Sequence, residues 1–87
     1  MANPEPVFAT KNATVDSLRV IGKEGNHLRL VLQNDGKQFE AIAFGMGELG
    51  TRLNSGDKID VAYTLDENTW QGETKLQLKV KDILMLQ

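Results

Sequence analysis

The sequence predicts an all-β domain: a five-stranded Greek-key barrel with one short helix between strands 3 and 4. Three observations carry this. Apolar residues alternate with polar ones at a period of two through most of the chain, as in His27 to Gln33 and Lys75 to Lys81. Turn residues punctuate those runs, most clearly Asn34-Asp35-Gly36-Lys37. The period changes once, where Met46, Leu49 and Leu53 fall at helical spacing.

Length and composition set the limits. Eighty-seven residues make one small domain, residues 1–87. A hydrophobic fraction of 40% and a charged fraction of 25% are those of a water-soluble globular domain. Without cysteine there is no disulfide framework, thiolate nucleophile or cysteine zinc site. The apolar runs are too short to span a membrane, and Met1 to Pro6 has neither the basic nor the apolar region of a signal peptide. The expected location is therefore the cytoplasm. Ten Lys and Arg against twelve Asp and Glu leave a net charge of −2. A dedicated duplex-DNA binder carries a clear positive excess, so any nucleic-acid role rests on a local patch. Affinity for the domain alone would then be on the order of micromolar or looser.

Residues 1–12 read as an extended lead-in, with Pro4 and Pro6 blocking regular pairing. The first strand is expected from Ala13 to Ile21, and the segment Gly22 to Asn26 is a turn. His27 to Gln33 is the second strand, with Leu28, Leu30 and Leu32 facing one way and Arg29, Val31 and Gln33 the other. Gln38 to Phe44 is the third, apolar on both faces, so period leaves its inward side undecided. A short helix follows over Met46 to Leu53, despite Gly47 and Gly50, each unfavourable by up to ~1 kcal/mol relative to alanine. Lys58 to Leu65 is the fourth strand, with Ile59, Val61, Tyr63 and Leu65 on one face. Asp66 to Glu73 is expected to be a long turn holding Trp70, and Thr74 to Leu84 the fifth strand. The predicted core is Leu28, Leu30, Leu32, Ile59, Val61, Leu76, Leu78 and Val80.

Strands 1-2-3, helix, strands 4-5 is the order of the OB-fold. An SH3-like barrel, the nearest rival, has no helix at that place. OB-folds bind ligands on the strand 2–3 face and the flanking loops. The candidate nucleic-acid residues are therefore Arg29 and Gln33 on strand 2, Trp70 in the turn before strand 5, and Lys75, Gln77 and Lys79 on the wet face of strand 5. Tryptophan stacks on bases and lysines pair with phosphates. Each residue has a plainer role as well. Trp70 could plug the barrel's open end, while the lysines, Lys81 included, could form a solvated face or protect an edge. His27 reads as a surface or packing residue. Asp57, Asp60, Asp66 and Glu67 lack the spacing of a metal site. Gly45-x-Gly47-x-x-Gly50 lacks the βαβ context of a dinucleotide loop.

Four stretches resemble the OB domain of RecJ-type single-strand-specific exonucleases. Asn3-Pro4-Glu5-Pro6-Val7-Phe8 looks like the segment leading into that domain. His27-Leu28-Arg29-Leu30 and Phe39-Glu40-Ala41-Ile42-Ala43-Phe44-Gly45 resemble its second and third strands. Asn68-Thr69-Trp70-Gln71-Gly72, followed by Leu76-Gln77-Leu78 and Asp82-Ile83, is similar to its last loop and strand. The resemblance implies an accessory domain excised from a DHH-superfamily phosphoesterase. Such enzymes degrade single-stranded DNA from the 5′ end with manganese or magnesium, in DNA repair and recombination. Their catalytic Asp and His motifs and their metals lie in other domains. This chain has no Asp-His-His motif and one histidine, so it is expected to be non-catalytic and without a cofactor of its own. Implied partners are single-stranded DNA, the rest of the parent nuclease and a single-strand-binding protein; no membrane is implied. Two functions stay open: a module that guides single-stranded DNA to a nuclease core, and a structural or protein-interaction module with little DNA affinity.

Overall fold

The computed structural model describes residues 5–86. Five strands, β1 (Phe8–Ile21), β2 (His27–Asn34), β3 (Lys37–Ala43), β4 (Lys58–Trp70) and β5 (Glu73–Met85), close into a barrel in the order β1-β2-β3-β5-β4. All neighbours are antiparallel except β3 and β5, which run parallel through Ala41 opposite Leu78 and Ile42 opposite Lys79. The expected OB barrel is present.

β1 serves both halves of the barrel. Its first part pairs with β4, from Phe8 opposite Tyr63, and its second with β2, ending at Ile21 opposite His27. The lead-in expected through residue 12 is thus shorter, because the strand begins at Phe8; Met1 to Pro4 lie outside the described residues. Register shifts at Thr10/Ala13 and Val15/Ser17 bend β1 around the corner. At the first shift Asn12 has φ 61°, and its N–H donates to Asp60 Oδ1 at 2.8 Å.

The turn between β2 and β3 is two residues long, Asp35 at φ 54° and Gly36 at φ 75°, a type I′ pair whose twist matches the strands. The β4–β5 connection repeats that geometry at Gln71, φ 50°, and Gly72, φ 81°. The long turn expected over Asp66 to Glu73 is therefore strand on both sides of the two-residue turn Gln71-Gly72. β4 runs on to Trp70, which pairs with Glu73, and the two strands project as a hairpin arm.

Between β3 and β4 lies a 3₁₀ turn, η1 (Gly47–Thr51), shorter and tighter than the helix expected over Met46 to Leu53. Its first residue touches the β1–β2 turn: the Gly47 N–H donates to the Asn26 carbonyl at 2.9 Å.

The core holds Ala13, Val15, Leu28, Leu30, Leu32, Ala41, Ala43, Leu53, Ile59, Val61, Leu78 and Val80. Seven of the eight residues expected inside are there. Leu76 is the correction, 50% exposed, because it lies on the arm beyond the barrel wall. β3 turns Ala41 and Ala43 inward, which settles the face that period left open. Two of the four acidic residues whose spacing spoke against a metal site make local hydrogen bonds. Asp60 holds the β1 bulge, and Asp57 Oδ2 accepts the Asn54 N–H at 2.8 Å. His27 Nδ1 accepts the Gly45 N–H at 2.9 Å, and its ring meets Phe44 edge-on, so it packs the loop after β3.

Candidate nucleic-acid interface

Cross-strand register orders the outer face of β2, β3, β5 and β4 into rows. One row runs Arg29, Ile42, Lys79, Thr64. The next runs Val31, Glu40, Gln77, Asp66, with Glu40 joined to Gln77 by a hydrogen bond. A third carries Gln33 opposite Gln38 on one side, and Lys75 opposite Asn68 on the other. Residues directly opposite share a face. Arg29, Gln77 and Lys79 are therefore brought together on one continuous surface. Gln33 and Lys75 lie on that surface one row further toward the arm. Lys75 and Lys79 stand about 13 Å apart along their strand, from four residues of extended rise. Lys81 is exposed and falls at the β4–β5 register shift, outside these rows. The Trp70 backbone ends β4 rather than sitting in a loop; its side chain lies outside the described residues.

Between them, the rows place one side chain that the sequence reading missed. Glu40 occupies the middle of the surface. Arg29 Nη2 donates to Glu40 Oε2 at 2.6 Å, and Gln77 Nε2 donates to Glu40 Oε1 at 2.8 Å. Arg29 is thus an ion-paired guanidinium rather than a free cation on a wet strand face. A signal for this was present in the sequence. A two-residue turn at Asp35-Gly36 sets the β2–β3 register, which places Glu40 opposite Val31 and beside Arg29.

The hydrogen bond from Arg29 holds the Glu40 carboxyl below its ordinary value; burial opposes it as the next largest effect, and the Gln77 donor and the charges of Arg29 and Lys75 add to the lowering. A lowered folded-state pKa stabilises the fold above the unfolded carboxyl value, and that stability is lost as pH falls through the folded value. Glu40→Gln should therefore be less stable than wild type near pH 7, by under about 1 kcal/mol for so exposed a pair. The difference should close as pH drops below about 4. Urea melts at several pH values measure it, and a gap that widens in acid would contradict the sign.

Lys79 stands between Ile42, 8% exposed, and Thr64, 2% exposed, and is itself half-buried. Beyond Glu40, β3 and the arm enclose a groove of about 440 Å3 lined by Glu40, Asn68, Glu73, Lys75, Leu76 and Gln77. Among the described residues no group of three or more His, Cys, Asp or Glu is placed to hold a metal ion. No helix among them is long and apolar enough to cross a membrane.

The RecJ OB domain family model matches residues 1–82. The chain belongs to the RecJ OB domain family. The single-stranded-DNA-specific exonuclease RecJ of Bacillus subtilis is 30% identical over 82 residues, 94% of this chain and 10% of that protein. The chain thus spans about a tenth of this RecJ relative and corresponds to an OB domain, not to a catalytic nuclease domain. Solved structures give the same fold at low identity. A mitochondrial single-stranded DNA binding protein from S. cerevisiae superposes with TM-score 0.74 at 13% identity, covering 95% of each chain. The SSB domain of a Synechococcus protein superposes with TM-score 0.74 at 16% identity, covering 95% of this chain and 97% of that one. The resemblance in the RecJ-like stretches thus extends to family membership.

Proposed function

We propose that this RecJ OB domain is a non-catalytic module that binds single-stranded DNA and guides it to the 5′→3′ exonuclease core of a RecJ-like parent, in DNA repair and recombination in the cytoplasm. The observation that carries the reading is the convergence of Arg29, Gln77 and Lys79 on one OB-fold face, with Lys75 and Gln33 in the next row. In this reading the cations track phosphates and Trp70, at the end of the arm, stacks on a base. Divalent metal belongs to the core and not to this domain, so the purified chain should not degrade DNA with manganese or magnesium present.

The test is fluorescence anisotropy of a labelled single strand at two salt concentrations. Trp70→Ala should weaken binding by ~1–3 kcal/mol while leaving the fold intact. Lys79→Ala should lose less and lower the salt slope by somewhat under one. If Trp70→Ala lowers thermal stability and spares affinity, the tryptophan is a plug. The second reading, a module that packs on the nuclease core or on a single-strand-binding protein, is favoured by the net charge of −2 and by the ion pair that occupies Arg29. Wild-type protein that leaves anisotropy flat at low salt would establish that reading in place of the first.

A further inference from the structure

The central carboxylate is out of place on a surface meant only for phosphates. Two carboxylates, Glu40 and Glu73, face the groove between β3 and the β4–β5 arm, where a phosphate would be repelled. The uncharged edge of a base would not be. Glu40 is held from two sides, by Arg29 at 2.6 Å and Gln77 at 2.8 Å, one donor on each oxygen. A carboxylate offers about four lone-pair positions, so each oxygen keeps one free, and the side chain is 39% exposed. An ionised carboxylate accepts and never donates. What it can take from a base edge is an N–H group, such as the cytosine N4 amino group; thymine presents the O4 carbonyl at the corresponding place. Leu76, half exposed, supplies an apolar wall for the ring face, and Lys75 on the same groove can meet the adjoining phosphate. The groove volume of about 440 Å3 falls within the range of small-ligand sites, ~300–1,000 Å3.

We propose that this groove receives one nucleobase of the bound strand edge-first, and that Glu40 reads its amino group, so that cytosine is preferred to thymine. The proposal rests on the single-strand-binding reading above and adds a base preference to it. It makes Glu40 a specificity-determining residue and Arg29 and Gln77 the groups that position it.

Anisotropy with labelled oligo-dC and oligo-dT of equal length, at one salt concentration and pH 7.5, decides it. Wild-type protein should hold oligo-dC about threefold to tenfold tighter, less than a full bidentate contact would give. Glu40→Gln, whose amide also donates, should bring the ratio to one or invert it, and Glu40→Ala should bring it to one. Circular dichroism of both variants should match wild type, since the side chain lies outside the core. Equal affinity of wild type for the two oligomers would overturn the base preference and leave single-strand binding standing. An equal gain for both oligomers in Glu40→Gln would overturn it too, showing a carboxylate that only repels the strand. No binding of either oligomer by wild type would remove both readings together.

Discussion

Gly47→Ala should destabilise the domain by about 3 kcal/mol or more, the upper range for overpacking, although alanine is the better helix former by up to ~1 kcal/mol. A Cβ at Gly47 would lie 2.0 Å from the Gly25 carbonyl oxygen and 2.8 Å from the Asn26 carbonyl carbon, both backbone atoms. Nothing at that point can rotate away. Relieving the contact means separating the 3₁₀ turn from the β1–β2 turn and breaking the Gly47 to Asn26 hydrogen bond. Gly50→Ala is the control. There the nearest obstacle is the Val20 Cγ2 methyl at 2.6 Å, the end of a side chain that is itself 45% exposed and can move. Its loss should be clearly smaller. Chemical denaturation of the two variants measures the pair, and an unchanged or raised midpoint for Gly47→Ala would show that the two turns do not meet.

Leu30→Ala is expected to cost about 2–5 kcal/mol, through lost transfer energy and the cavity left behind. Leu30 is fully buried at the centre of β2, between Leu18 on β1 and Ala41 on β3. For a domain of this size that is a large share of a stability of roughly 5–10 kcal/mol. Leu76→Ala should change stability by no more than about 1 kcal/mol, since half of that side chain is already in water. Similar losses for the two variants would mean that the arm folds back over the core, contrary to the barrel described.

Much of this was legible along the chain because it depends on near neighbours. The alternation of Leu28, Leu30 and Leu32 specified a half-buried strand, and Asp35-Gly36 specified its turn. The break in period at Met46 to Leu53 placed the helical interval between β3 and β4, and so the fold. The resemblance in the segments around Trp70 and Gln77 pointed to the family. Arg29, Gln77 and Lys79 were found one by one from their alternation on β2 and β5.

What only the tertiary structure decided depends on which strands become neighbours. Barrel closure chose the alanine face of β3 for the interior, where Ala41 stands opposite the buried Leu78 of β5. It put Leu76 in water, since β4 and β5 outrun the wall they help build. It turned Gly47 from a weak point in a helix into the one residue type that fits against the Gly25 carbonyl. It also brought Gln77 from β5 to Glu40 on β3, joining side chains 37 residues apart. Periodicity reports which way a side chain points. It carries no information about what stands across the next strand, and there a carboxylate had taken the arginine that looked free.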